Sequence, residues 1–250
     1  MLALGLGADL GKTLDVSHDN VVAVFSDEPG PNPATGILIH PRVVLTAGHV
    51  SPRQPVVAIG ANVNDGARWI RLGADAGTQS HPSLTALRAA GIGPNERVDF
   101  LDVGLLFLPE PVTTAPIAGL PAPGLLDAST APLIGVGYGY DHVINARNAG
   151  GPGDGRRRSW RAGVVSRINV AWIRMDDNPA KGFGQICRGD SGAPIVLQRG
   201  RSQTVVAVVS HSDGNDCGPG IPTYAVRIDN PAVLTWIRDT VKTRVGATIP

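Results

Sequence analysis

Short runs of β-branched and other apolar residues recur along the chain, and turn-forming residues separate them. This spacing is typical of the antiparallel strands of a sandwich or a barrel. Helical patterns do not alternate with these runs, which argues against a parallel α/β sheet. The predicted strands cover residues 21–25, 36–39, 43–46, 55–59, 68–72, 103–108, 133–136, 161–168, 194–197, 204–210 and 223–228.

A proline-rich stretch interrupts this series near the middle of the chain. Residues 109–124 contain five prolines and no periodic apolar pattern, which is typical of an extended connector. The stretch divides the chain into an amino-terminal half, residues 1–120, and a carboxy-terminal half, residues 121–250. We expect the two β-rich halves to form one domain together.

The end of the chain carries the clearest helical pattern. Asn230 can cap a helix that begins with Pro231, because asparagine favours the cap and proline the first helical position. Apolar residues then recur on one face of residues 230–245. The face consists of Val233, Leu234, Ile237 and Val241.

The composition agrees with an all-β protein and limits the classes of partner that we expect. Of the 250 residues, 42% are hydrophobic, which is enough for a packed core. The 32 glycines and 21 prolines favour turns over helices. A net charge of +1 makes neither nucleic acid nor a membrane surface an expected partner. No apolar run approaches the roughly 18–20 residues that span a bilayer, and residues 1–12 lack the pattern of a secretory signal.

Two motifs in the first half contain residues suited to proton transfer. VVLTAGHV, residues 43–50, ends a predicted strand at His49, where an imidazole could face a cleft and act as a base; a structural histidine is the alternative. DFLDVGLLFL, residues 99–108, brings Asp102 to the mouth of an apolar strand, where a carboxylate needs a partner. Asp102 could instead cap a turn, and Asp99 is the rival carboxylate.

A third motif, CRGDSGAP over residues 187–194, contains a serine between glycines. Glycine permits a tight turn and close approach of a substrate. The backbone N–H groups of Gly189 and Ser191 can converge there on a developing oxyanion. The remaining histidines show no paired metal-ligand spacing, and neither a metal ion nor a cofactor is expected.

The three motifs, in the order His, Asp, Ser, resemble the S1 trypsin/chymotrypsin family of serine peptidases, and in particular its bacterial-type members. The resemblance covers roughly residues 20–245 and implies an all-β fold of two six-stranded antiparallel β-barrels with a C-terminal α-helix. The segments that carry it are LTAGH, DVGLL and GDSGAP, and also GVGYG (135–139), VVSHS (208–212), PGIPTYAV (219–226) and LTWI (234–237).

The resemblance implies a serine endopeptidase whose catalytic triad is His49, Asp102 and Ser191. Ser191 would attack the peptide carbonyl and His49 would carry the proton. Gly189 and Ser191 would form the oxyanion hole. Ser210 would donate a hydrogen bond to Asp102, with Thr46 beside it.

The two cysteines gain a role from the same resemblance. By themselves they could be free thiols or a single bridge. The resemblance pairs Cys187 with Cys217, which implies an oxidising compartment and thus secretion or the periplasm. It also implies a polypeptide substrate and a monomer.

The substrate pocket departs from the pattern that selects basic side chains. By resemblance it is lined by Gln185 at its base, with Ile186, Ser210, Ser212 and Gly220 along the walls. Because Gln185 carries no charge, we expect cleavage after uncharged residues. Asp213 or Asp216 could still restore a preference for basic residues.

A second departure concerns Asp190, directly before Ser191. In the family this carboxylate pairs with a new amino terminus of sequence Ile-Val-Gly-Gly, and no such segment precedes His49. Asp190 is therefore expected to pair with an internal donor. An impaired binding or regulatory protein with this fold is the alternative function. An α/β-sheet esterase requires the order Ser, Asp, His, which this chain does not have.

Overall fold

Two curled antiparallel sheets and one long C-terminal helix make up the computed structural model. The structure describes residues 9–25, 33–50, 56–73, 77–89, 100–129, 131–142, 153–167, 169–213 and 217–250. All pairings between strands in these ranges are antiparallel. The all-β fold class with a terminal helix is thus confirmed.

The strands are short, and most coincide with the β-branched runs of the sequence. In the described ranges they are β1 (Thr13–Leu14), β2 (Val21–Phe25), β3 (Ala34–His40), β4 (Val43–Thr46), β5 (Val56–Ile59), β6 (Arg68–Arg71), β7 (Thr78–Ser80), β8 (Gly104–Phe107), β9 (Leu133–Gly137), β10 (Arg158–Arg161), β11 (Val164–Arg167), β12 (Trp172–Asp176), β13 (Pro194–Arg199), β14 (Ser202–Ser212) and β15 (Thr223–Arg227).

The first sheet has the strand order β6-β5-β2-β3-β4-β8-β7, and the second has the order β1-β10-β9-β13-β14-β15-β12-β11. They contain seven and eight described strands, so the predicted count of six in each is wrong. The additions include short edge strands such as β1 and β7, whose few residues are not fully buried and therefore show no apolar run. Strand β1 precedes the first sheet along the chain and yet pairs with β10 of the second.

The prediction of a single strand over residues 161–168 is also wrong. It is divided between β10 and β11, which pair with different neighbours. The chain turns at Gly163, whose N–H donates to Asp177 Oδ1 over 2.8 Å. A Cβ atom on Gly163 would lie 2.4 Å from the carbonyl oxygen of Asp176, so the corner requires glycine. Ile168, the last residue of the prediction, lies outside the described residues.

Three α-helices occur in the described ranges: α1 (Pro82–Ala89), α2 (Leu125–Ala128) and α3 (Pro231–Val245). The predicted start of α3 is confirmed, because Asn230 Oδ1 accepts hydrogen bonds from the backbone N–H groups of Ala232 (2.9 Å) and Val233 (3.3 Å). Its predicted apolar face is buried. Neither α1 nor α2 was predicted.

The two sheets share one apolar core, to which α3 contributes. Trp172 of β12 donates its indole N–H to the carbonyl of Phe100, just before β8, over 2.8 Å, and the two rings meet edge to face. Asn20 and Gln203 form a further hydrogen bond of 2.7 Å between the halves. Strands β2 and β3 of the first sheet lie beside β9 and β13 of the second.

The proline-rich connector lies outside the strands and touches both sheets. Its Ala118 N–H donates to Leu38 of β3, and its Gly119 N–H donates to Gln203 of β14. The division of the domain at residue 120 stays a prediction. No helix in the described ranges is long and apolar enough to span a membrane.

Candidate active site

His49 lies in a short turn of helix, Gly48–Val50, that follows β4. Its backbone N–H donates to Asp102 Oδ1 over 2.8 Å, and its ring Nδ1 lies 2.7 Å from Asp102 Oδ2. Two contacts to one carboxylate fix both the backbone and the ring plane of His49. The imidazole side chain is 28% exposed, so solvent reaches the ring.

Asp102 lies just before β8, beside β4, and its side chain is fully buried. Burial alone would raise the pKa of this carboxyl, but the charge of His49 and the hydrogen bonds from His49 and Ser210 outweigh burial and lower it. The ionised carboxylate accepts at both oxygens, so Nδ1 of His49 carries the proton and Nε2 remains free to accept one.

Ser210, near the end of β14, completes the surroundings of Asp102. Its hydroxyl donates to Asp102 Oδ2 over 2.5 Å, which agrees with the role implied for it by resemblance. Thr46, which was expected beside them, pairs with Gly104 of β8, and its hydroxyl donates to the carbonyl of Thr35 over 2.7 Å. Asp99, the rival carboxylate, lies outside the described residues.

Ser191 lies in residues 187–192, which we call the serine loop. The loop is fastened to β3 of the first sheet through Thr35, a buried residue that sequence reasoning missed. The Thr35 N–H donates to the carbonyl of Ser191 over 2.9 Å, and its hydroxyl donates to the carbonyl of Gly189 over 2.8 Å. Thr35 thus connects the serine loop to the first sheet through two hydrogen bonds.

Gly192 brings the serine loop against β3 and against the end of β4, which precedes the turn of His49. A Cβ atom at this position would lie 2.1 Å from the carbonyl oxygen of Thr35 and 2.2 Å from Thr46 Oγ1. Its φ of +82° also favours glycine. The Gly192 N–H donates to Val209, next to Ser210, over 2.8 Å. Ser191 is therefore held close to the elements that carry His49 and Asp102.

The serine itself retains free hydrogen-bonding groups. Within the described part of the chain, the Ser191 hydroxyl forms no hydrogen bond to the His49 ring. Such bonds are often long before substrate binds. The N–H groups of Gly189 and Ser191 also donate to no described residue, so both could donate to a substrate oxygen.

The residue predicted to form the floor of the substrate pocket, Gln185, is uncharged and buried. Gln185 is fully buried; its Nε2 donates to the carbonyl of Ile221 over 2.9 Å, and its Oε1 has no partner among the described residues. Ile186 is buried, Ser210 is buried and Ser212 is half-buried, whereas Gly220 is exposed. Asp213 is exposed and accepts from the Tyr224 hydroxyl; Asp216 lies outside the described residues.

Cys187, at the start of the serine loop, forms a disulfide bond with Cys217, as the resemblance implied. The bridge packs against Leu10 and Tyr140.

Asp190, whose partner the sequence left open, forms a fully buried ion pair with Lys12. Nothing local marked Lys12 in the sequence, because 178 residues separate the two partners.

His211 is a second imidazole in the network that sequence reasoning missed. Its Nδ1 lies 3.1 Å from Ser210 Oγ, and its ring stacks on Tyr224 at 5.0 Å. Burial lowers the pKa of His211, although the charge of Asp102 opposes the shift. The position of His211 directly after Ser210 in the VVSHS segment was the available signal.

The chain has a trypsin-like fold. It consists of two curled antiparallel sheets, of which the first carries the imidazole–carboxylate pair and the second carries the glycine-flanked serine. The family model described as Trypsin matches residues 16–237, and the chain belongs to this family. The solved structure of human heparin binding protein is similar over 94% of this chain and 96% of that one, with 19% identity and a TM-score of 0.66. At this identity the likeness concerns the fold. No curated protein sequence matches the chain.

Proposed function

We propose that the protein is a serine endopeptidase that hydrolyses peptide bonds through an acyl-enzyme at Ser191. The observation that carries the proposal is the pair of contacts, 2.8 and 2.7 Å long, that joins His49 to the buried carboxylate of Asp102. A buried carboxylate that orients an imidazole next to a glycine-flanked serine is the arrangement that activates a hydroxyl as a nucleophile.

Each described group has a step in the reaction. Ser191 Oγ bonds to the peptide carbonyl carbon while His49 Nε2 takes its proton, and the carbonyl electrons move onto the oxygen. The N–H groups of Gly189 and Ser191 stabilise that oxyanion. His49 then gives the proton to the leaving amine, and a water molecule, activated by the same imidazole, releases the acyl group from Ser191.

The substrate class follows from the floor of the pocket. Gln185 presents an uncharged amide, and a buried carboxylate that would attract Arg or Lys side chains is absent at this position. We therefore assign cleavage of polypeptides after uncharged residues. Asp213 does not supply the missing charge, because its carboxylate is exposed and is engaged by Tyr224.

The disulfide supports a place of action outside reducing compartments, secreted or periplasmic. A monomeric peptidase of the bacterial type is part of the same proposal. The internal Lys12–Asp190 pair supports the bacterial type, because it removes the need for a particular amino-terminal sequence.

A catalytically impaired binding or regulatory protein is the second candidate. The observation in its favour is the missing hydrogen bond from Ser191 to His49 among the described residues. A protein without turnover has no use for a desolvated carboxylate that orients an imidazole, since burying Asp102 costs free energy that only its partners offset. The peptidase is therefore the better supported function.

A fluorophosphonate probe separates the two candidates, because it labels only a serine whose hydroxyl is activated. We expect labelling of the wild-type protein and none of Ser191→Ala or His49→Ala. Ser202→Ala, a change of an exposed serine in β14, should be labelled like wild type. An unlabelled wild-type protein, or labelling that survives Ser191→Ala, would contradict the proposal. A peptide library then tests the preference for uncharged residues.

A further inference from the structure

Strand β11 forms one edge of the second sheet. It pairs with β12 on one side, and no other described strand pairs with it. Its second side therefore keeps backbone N–H and C=O groups with which a further strand can pair. Two of its residues, Val164 and Val165, are apolar and yet 61% and 37% exposed. An exposed apolar edge of this kind is a template for pairing with another chain.

A cavity of about 360 Å³ lies at this edge. Both Val164 and Val165 line it, together with residues 131–133 at the start of β9. The side chains of consecutive strand residues point to opposite faces of a sheet. A cavity that contacts two consecutive residues of β11 therefore lies beside the strand and not over one of its faces. Its volume is in the range of sites that bind small molecules or single side chains.

The interior of this cavity is apolar. Leu133, Ala162 and Ile173 line it and are buried members of the apolar core of the second sheet. Leu126 of α2 also lines it and packs against the same core. An aliphatic side chain that enters the cavity from outside would leave water and gain free energy.

The charged residues that line the cavity are Arg161, Arg227 and Asp127. Arg227 is already paired, because its Nη1 and Nη2 donate to Asp127 over 2.9 and 3.0 Å and it also pairs with Asp229. Arg161 is exposed and forms no hydrogen bond or ion pair within the described part of the chain. Its guanidinium lies 4.8 Å from the centre of the Phe183 ring, and stacking leaves the N–H groups at the guanidinium edge available to an anion.

A ligand that matches the cavity has one negative charge beside an apolar group. A small inorganic anion would leave the apolar walls in contact with water, and an uncharged apolar molecule would leave Arg161 without a partner. The carboxyl end of a polypeptide supplies both features and also a backbone that can extend the sheet. In an antiparallel arrangement this end lies at the beginning of β11, and Arg161 precedes Val164 by three residues.

We propose that this site binds the C-terminal segment of a partner polypeptide whose last residue is apolar. The segment pairs antiparallel with β11, its last side chain enters the cavity, and its terminal carboxylate pairs with Arg161. Main-chain hydrogen bonds then provide affinity, and the cavity provides specificity. Neither His49, Asp102 nor Ser191 lines this cavity, so the proposal goes beyond the proposed function and does not depend on it.

Fluorescence anisotropy with labelled peptides tests the proposal. The full chain carries Ser191→Ala, so that a peptidase activity would not consume the peptides. The probes have the sequence Thr-Val-Thr-Val-X, where X is Val, Leu or Phe, with either a free or an amidated carboxyl end. We expect saturable binding of the free acids. The amides should bind at least about tenfold more weakly, because they lose a charge-assisted hydrogen bond.

The substitution Arg161→Gln removes the cation of the site, and Arg201→Gln is the matched control. Arg201 is an exposed arginine between β13 and β14. Arg161→Gln should weaken binding of the free acids about tenfold, and amidation should then have no further effect, because both changes remove the same contact. Arg201→Gln should keep both the affinity and the effect of amidation.

Two further measurements test the cavity and the strand edge. Ala131→Phe places a large side chain at an exposed position of the cavity wall, and it should weaken binding at least about tenfold while urea unfolding stays unchanged. Saturating peptide should slow hydrogen exchange at the backbone N–H groups of β11, because pairing protects them. Strand β6, an edge of the first sheet, should exchange as before.

Several results would overturn the proposal. They are a dissociation constant above about 1 mM for every peptide of the set, equal affinity of acids and amides, or an unchanged effect of amidation in Arg161→Gln. Binding that leaves the N–H groups of β11 unprotected would also contradict it. Octanoate tests the other source of an apolar carboxylate: if octanoate binds in a manner that depends on Arg161 and the peptides do not, the occupant is a fatty acid and the polypeptide partner is wrong.

Discussion

At the scale of single residues, Ser210 connects the two histidines of the site. Its hydroxyl donates to Asp102 over 2.5 Å and lies 3.1 Å from Nδ1 of His211. Since a hydroxyl has one proton to donate, donation to Asp102 leaves its oxygen as acceptor for a proton on His211. The tautomer of His211 is thereby coupled to the hydrogen bonds of the buried carboxylate.

The substitution Ser210→Ala tests the value of this contact. A hydrogen bond to a charged group contributes about 1.5–3 kcal/mol, so we expect kcat/KM to fall by roughly 10- to 100-fold. Ser166→Ala, at an exposed position of β11, is the control and should leave kcat/KM unchanged. Steady-state kinetics on a peptide substrate would measure both variants. An unchanged kcat/KM for Ser210→Ala would show that Ser210 does not contribute to the site.

Gln185 decides the chemistry of the pocket floor at the same scale. Replacement by aspartate, Gln185→Asp, introduces a buried negative charge that a basic substrate side chain can neutralise. We expect the ratio of cleavage after Arg or Lys to cleavage after uncharged residues to rise by about tenfold or more, which requires only ~1.4 kcal/mol.

A peptide library digested by wild type, Gln185→Asp and Gln198→Asp measures this change. Gln198 lies in β13 with its amide bonded to the carbonyl of Gly200, so its substitution should not alter the preference. A Gln185→Asp enzyme with the wild-type preference would show that Gln185 does not form the floor of the pocket.

At the scale of elements, the sequence predicted most strands because their apolar residues are consecutive. β2 and β4 agree with the predicted ranges at every residue, and both are entirely buried. The prediction failed where burial is partial or the chain changes partner. Strand β12 contains exposed charged residues among its buried positions, and the corner at Gly163 has no apolar signature.

The cap of α3 is the element whose sequence signal was most local. Asn230 accepts from two N–H groups of the first turn, and its Nδ2 also donates to the carbonyl of Val170 over 2.9 Å. Asn230→Ala should lower the free energy of unfolding by about 1–2 kcal/mol. Asn230→Ser keeps a capping oxygen and should lose less, as urea unfolding of both variants would measure. Equal losses would mean that the cap contributes nothing.

At the scale of the whole molecule, the stability depends on buried charges in the second sheet. Asp177 is buried beside the corner of Gly163 and accepts from the Thr223 hydroxyl over 2.5 Å. Burial raises its pKa to about 6, although the hydrogen bonds from Thr223 and Gly163 oppose the shift. The folded protein therefore binds the Asp177 proton more tightly than the unfolded chain, whose aspartate pKa is about 3.9.

The sign of the pH dependence follows from linkage. A raised pKa contributes stability that is fully present below pH ~4 and is lost as the pH rises through about 6. Asp177→Asn removes the titration and keeps the shape of the side chain. We expect this variant to be more stable than wild type by about 2–3 kcal/mol at pH 8, and to gain nothing at pH 4.

Urea unfolding at the two pH values tests this expectation. Asp176→Asn is the matched control, because the neighbouring carboxylate is about half exposed and should change stability by less than about 0.5 kcal/mol. A gain for Asp177→Asn that is the same at pH 4 and pH 8 would show that Asp177 is charged, or neutral, over the whole range.

The sequence by itself determined the all-β class, the terminal helix and the three motifs, because each of these depends on residues that are close in the chain. Runs of β-branched residues, the Asn230–Pro231 cap and the CRGDSGAP motif all act within a few residues. Family resemblance then supplied the Cys187–Cys217 pair. Only the tertiary structure decided that Lys12 pairs with Asp190 and that Thr35 fastens the serine loop to the first sheet. Such contacts join distant segments through burial and charge compensation, which leave no periodic pattern in the sequence.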